Sequence, residues 1–127
     1  MAICLTLKLR SDGDIDDQMT VGPTAVQIAA QITIFIFTRF HAQPGKADAL
    51  EDALREVVPA SRQEEGCLNI HAFRSIRDSN IFYIHSRWKD EAAFDRHAKL
   101  PHTVRFIERA EPLLDHEIQA QRCGLIV

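Results

Sequence analysis

Cysteine is scarce in this chain, and the three that occur, Cys4, Cys67 and Cys123, are an odd number at wide spacing. That pattern is no disulfide framework and no zinc motif; three reduced thiols, as in a cytoplasmic protein, are the expectation. Long hydrophobic runs are also missing. No stretch reaches the roughly 18 apolar residues of a membrane span, so no membrane partner is expected. Nor is there a run of Lys or Arg: 15 basic residues face 18 acidic ones, for a net charge of -3. Nucleic acid is therefore not an expected partner. Residues 1–8 lack the basic start and long apolar core of a secretory signal.

What is present is enough apolar material for one domain: 46% of 127 residues are hydrophobic. Residues 1–30 read as an N-terminal extension. Within it, residues 3–9 alternate apolar and polar, which predicts an added edge strand or a strand reaching across to a partner subunit; a loosely packed tail is the alternative. Ser11 to Asp17 is an acidic turn. Its glycine comes too early for a calcium loop, and no glutamate closes it.

Residues 31–127 read as one domain. Gln31 to His41 is rich in β-branched and aromatic residues and predicts a central strand, buried on both faces for much of its length. Pro44-Gly45 ends it. Ala47, Leu50, Ala53, Leu54, Val57, Val58 and Ser61 recur at helical spacing, predicting a helix over 46–64. Pro59 is expected to kink or interrupt its last turns. Residues 67–76 and 81–88 predict a strand hairpin around Arg77-Asp-Ser-Asn80. Asp90 is a candidate N-cap for a helix through His97, and Pro101 suits the first turn of a helix to Ala110. Residues 115–122 predict the last strand, with Leu125-Ile-Val127 as a possible continuation.

That order, strand, helix, strand, strand, helix pair, strand, is the α+β ferredoxin-like βαββαβ pattern, an antiparallel sheet with helices on one face. The other sheet face must still be covered. The odd positions of the hairpin include Cys67, Phe73, Ile81 and Tyr83, too apolar for open water, and a second copy of the sheet is the natural cover. His71, His85 and Tyr83 share strand parity and would fall in that interface. Without an acidic partner or HxH spacing they give no metal site. Arg74, Arg77 and Arg87 read as surface or interface charges.

Three residues are candidates for chemistry. Trp88 is expected to point toward the helices, as a cavity wall offering its N–H or as a core tryptophan. His97 falls on the inward stripe of its helix, and an imidazole is the side chain best suited to accept a proton; a histidine bonded near a helix end is the alternative. His102 sits in a helix first turn, where free amides favour a neutral imidazole or a bound anion.

Pro44-Gly45-Lys46, Gly66-Cys67-Leu68, Arg74-Ser75, Trp88-Lys89-Asp90-Glu91, Phe94, His97 and Pro101-His102 together resemble the antibiotic biosynthesis monooxygenase family of the dimeric α/β barrel superfamily. The likeness covers roughly residues 31–122. It implies a homodimer whose sheets pack face to face, and a cavity between sheet and helices. It further implies oxidation of a small aromatic, phenolic or quinol ligand by O₂ with no cofactor and no metal. By this resemblance His97 and His102 are the catalytic candidates, and Trp88, Phe94, Thr38, Ile70, Ile84 and Phe106 the substrate-binding ones.

The chain departs from the family's aromatic-polyketide oxidisers in several places. Ile84 stands in line with an asparagine, Phe94 and Ile70 with tyrosines, and Ser86 with an acidic residue. The haem-degrading branch has an asparagine in line with Thr38 and a histidine in line with Ile107, so haem degradation is not expected. A non-catalytic ligand-binding or stress-associated dimer, and an isomerase or lyase with histidine as base, are the alternatives.

Overall fold

The computed structural model describes residues 32–127. The expected strand over residues 3–9 and the acidic turn lie outside the described residues. The elements run β1 (Ile34–His41), α1 (Ala47–Arg62), β2 (Cys67–Arg74), β3 (Ile81–Trp88), α2 (Glu91–His97), α3 (Pro101–Ala110), a 3-10 turn (Glu111–Leu113) and β4 (Gln119–Cys123). The strands form one four-stranded sheet in the order β2-β3-β1-β4, and every pairing is antiparallel. This is the ferredoxin-like architecture that the alternation of periods predicts.

Strand alternation decides the two sheet faces. Ile36, Thr38 and Phe40 of β1 and Phe82, Ser86 and Trp88 of β3 are buried beneath the helices. The opposite face is open. Phe37, Phe73 and Tyr83 are 49%, 53% and 42% exposed. The expectation that β1 is buried on both faces is thus corrected: within one chain, only its even-numbered side is covered. His71 does pair with His85, and Phe73 with Tyr83, on that open face.

α1 presents Ala47, Leu50, Ala53, Leu54, Val57, Val58 and Ser61 to the sheet. It continues through Pro59 to Arg62 without interruption. The proline ring lies on the exposed side, so it displaces no core packing. Asp90 caps α2, accepting a hydrogen bond from the Ala93 amide at 2.8 Å. Leu100 precedes the proline-led α3.

Two further expectations change. The last strand starts at Gln119, not at residue 115, and Leu125–Val127 do not extend it. Residues 112–115 instead bind the end of β1: Asp115 N–H donates to His41 O, and Gln43 N–H to Leu113 O. Cys67 also changes face. The β2–β3 register shifts between Cys67 and Asn69, which turns Cys67 toward the core beside Trp88.

Gly66 lets α2 approach this bend. A Cβ on Gly66 would lie 2.3 Å from the Ala93 Cβ, well inside van der Waals contact. Gly66→Ala is expected to destabilise the chain by about 1–3 kcal/mol, as overpacking does. A urea unfolding midpoint equal to wild type would show that α2 yields there.

Candidate functional site

The end of α1, the end of α2 and the start of α3 converge above the middle of the sheet. Beneath them lies a cavity of about 40 Å³ between β1, β2 and β3 and the helices. Its wall is mostly apolar. Thr38, Ile70, Ile84, Phe94, Phe106 and His97 all line it, and Ser61, Ser86 and Thr103 add hydroxyl groups. Six of the eight site residues expected from sequence therefore share one wall.

The other two lie elsewhere. Trp88 is fully buried. Its indole N–H donates to Ser86 Oγ at 2.9 Å, so the N–H is already satisfied within the protein. Its ring supports the site from behind, 4.5 Å from the His97 ring and 5.6 Å from Phe94. Ser86, in turn, lines the cavity, and a hydroxyl that accepts one bond still has a proton to donate. His102 faces an outer groove between α1 and α3, with Arg105 and Arg109.

His97 is held tightly. Its ring packs against Trp88 and, at 5.5 Å, against Phe94. Its Nδ1 lies 2.7 Å from Glu64 Oε2, and Thr103 Oγ1 lies 3.4 Å from the same nitrogen. His102 Nε2 meets the same Glu64 oxygen at 2.6 Å. Against a carboxylate each ring nitrogen donates, which fixes the His97 tautomer with its proton on Nδ1. The lone pair of a neutral His97 is then on Nε2, free to take a proton. Glu64 would stabilise the imidazolium that results, the role a buried carboxylate plays behind a catalytic histidine.

Glu64 is the residue that sequence reasoning missed. It lies just past the last residue of α1, at the negative end of the helix dipole, an unfavourable place for a carboxylate. That misplacement was the available signal. Burial pushes its carboxyl up, but hydrogen bonds and charge from His97 and His102 outweigh this and hold it below the ordinary glutamate range. The nearby bases do not bond it: Arg62 donates to Ile70 O, and Lys89 to Glu65.

Two other side chains complete the surroundings. Arg122 is buried, paired with Glu91 and Asp95 at 2.6 Å each, with its guanidinium 5.3 Å from the Phe94 ring centre. It ties β4 to α2 and backs Phe94. Burial and the Glu64 charge push the Cys67 thiol up to about 11, so it is no nucleophile near neutral pH. Among the described residues, two clusters have the ligand types for a metal ion: Glu64–His97–His102, and His41–Asp115–His116 at the surface. No helix among the described residues is long and apolar enough to cross a membrane.

This geometry has counterparts among known proteins. The model of the antibiotic biosynthesis monooxygenase family matches residues 33–109. YcnE of Bacillus subtilis (strain 168), which carries a monooxygenase name, is 29% identical over 83 residues, 65% of this chain and 87% of its own length. The crystal structure of PA3566 from Pseudomonas aeruginosa is 33% identical with a TM-score of 0.72, covering 77% of this chain and 98% of that one. Rv0793 from Mycobacterium tuberculosis shares the fold at 20% identity, with a TM-score of 0.71 over 75% of this chain and 96% of its own. The matched segment holds the whole cavity and its His97–Glu64 pair, and the chain belongs to the antibiotic biosynthesis monooxygenase family, whose general function is monooxygenase-like.

Proposed function

We propose that this protein oxidises a small aromatic, phenolic or quinol substrate with O₂, using no metal, flavin or haem, and that it works as a homodimer. The observation that carries the reading is His97, set in an apolar cavity wall with Glu64 behind it. A phenol is inert toward O₂ until deprotonated. Proton transfer to a placed base is worth roughly 10²–10⁴-fold, and the apolar wall keeps competing water away from the electron-rich anion.

The reaction balances without an external reductant. His97 Nε2 takes the phenolic proton. The anion passes electrons to O₂, and a C–O bond forms to give a ring peroxide anion. Its O–O bond then breaks as the ring C–H proton is lost: one oxygen stays as a quinone carbonyl, the other leaves as water. Overall, phenol plus O₂ gives quinone plus water, and the substrate supplies all four electrons. His97 returns its proton to the leaving hydroxide. The Ser86 and Thr103 hydroxyls, on the same wall, are the available donors to developing oxyanions.

The cavity as it stands is smaller than the roughly 150 Å³ that a benzene-sized ligand fills. The reading therefore requires α2 and α3 to move apart from the sheet on binding. The same observation, with Ile84 and Phe94 in place of polar side chains, favours a second reading: a ligand-binding dimer without turnover.

Oxygen uptake by chelator-treated protein, over a panel of phenols, quinols and hydroxylated polycycles, separates the two. Saturable uptake is the expected result. Saturable binding across the panel with no uptake would favour the binding dimer.

A further inference from the structure

We propose that Glu64, His97 and His102 form a binding site for Zn²⁺, and that occupancy switches off the proton acceptor. The binding half stands on geometry alone; the inhibitory half rests on the function proposed above.

Two imidazoles and one carboxylate make a ligand set that zinc takes with ease. The three ligand atoms lie within 4.8 Å of one another. His97 Nδ1 and His102 Nε2 both point at one oxygen, Glu64 Oε2, at 2.7 and 2.6 Å. Zinc bonds of about 2.0–2.2 Å need ligands slightly farther apart than hydrogen bonds hold them. Around a tetrahedral ion such ligands stand roughly 3.3–3.5 Å apart, so each pair must open by about 0.7 Å, a shift that side-chain rotation can supply.

The three side chains come from three fixed places. Glu64 is pinned by its backbone, N–H to Ser61 O and C=O from Cys67 N–H, both 3.1 Å. His97 is clamped by Trp88 and Phe94. His102 lies in the first turn of α3. Their side chains are 11%, 12% and 21% exposed, respectively, so an ion can reach them from the outer groove that His102 lines.

Electrostatics favour a cation there. The carboxylate lies at the C-terminal end of α1, and His97 is the last residue of α2. Two negative helix ends thus face the cluster, against the positive end of α3. In the free protein, imidazole protons supply the balancing positive character. A metal ion would replace them.

The consequence follows from tautomer chemistry. With Nδ1 of His97 on zinc, the one proton of a neutral ring sits on Nε2. That nitrogen then donates and no longer accepts, so the base is lost while the ion stays bound.

The test titrates metal-free full-length protein with Zn²⁺ against a chromophoric chelator. Emission of Trp88, the chain's one tryptophan, is followed in parallel, because its ring touches His97. One equivalent is expected, with Trp88 emission changing at the same stoichiometry. Glu64→Gln and His102→Ala should each weaken binding by about 100-fold or more, beyond the 10–100-fold cost of losing an outer partner. His41→Ala, which dismantles the surface cluster, should leave it unchanged.

Binding that follows His41→Ala instead, binding that survives both Glu64→Gln and His102→Ala, or no binding at all overturns the site. Zinc bound at the site with oxygen uptake unaltered overturns the inhibitory half and leaves the oxygenase standing. An absence of uptake with any substrate leaves the binding result to decide the site by itself.

Discussion

His97→Ala is expected to lower the turnover number for oxygen uptake by about 10²–10⁴-fold, the range for a positioned general base. The expectation rests on position: the ring lines the cavity, and Glu64 fixes its Nδ1. Alanine also removes a ring packed on Trp88 and Phe94, which costs stability by leaving a void. Glu64→Gln separates the two effects. It keeps the shape and a hydrogen-bond acceptor for Nδ1, yet removes the charge that favours the imidazolium. A fall of about 10-fold or more is expected, in the turnover number rather than in KM, with the unfolding midpoint nearly that of wild type. Uptake unchanged in both variants would remove His97 from the chemistry and leave only an apolar pocket.

Phe37→Glu is expected to convert the proposed dimer to a monomer, raising its dissociation constant by at least about 100-fold. Phe37 occupies the middle of the central strand on the open face, beside His85 with ring centres 4.9 Å apart. Phe73 and Tyr83 extend the same surface over β2 and β3. A two-fold interface presents each residue twice, so one substitution buries two carboxylates in an apolar contact. Ile76→Glu is the control. Ile76 is fully exposed in the β2–β3 connection and should leave the oligomer intact. Sedimentation at micromolar concentration decides the matter. A monomeric wild type, or a Phe37→Glu variant that stays dimeric, would mean that something other than a second sheet covers this face.

Much of this protein is legible in its sequence alone. The period of α1 named each of its buried residues, because one helix face must turn to the sheet whatever the sheet's details. Asp90 as cap and Pro101 as first residue of α3 are local devices, and local physics placed them correctly. Strand parity points Trp88 toward the helices and puts His71 and His85 together on the other face, as the structure has them. The family resemblance, and with it the fold, rested on these same short segments.

What failed in the sequence reading depended on contacts between distant parts of the chain. Cys67 was placed by alternation, but a register shift after it reversed its face. Residues 115–118 looked extended, yet Asp115 serves the end of β1 rather than the sheet. The sequence leaves the Trp88 indole open to a ligand or to a backbone partner, and its partner is the Ser86 hydroxyl. By itself, then, the sequence determined which residues of α1 face inward, because hydrophobic periodicity is a property of consecutive positions. Only the tertiary structure decided that Glu64 meets His97 and His102, since residues 33 and 38 positions apart share one oxygen atom only after three helix ends have been packed against the same sheet.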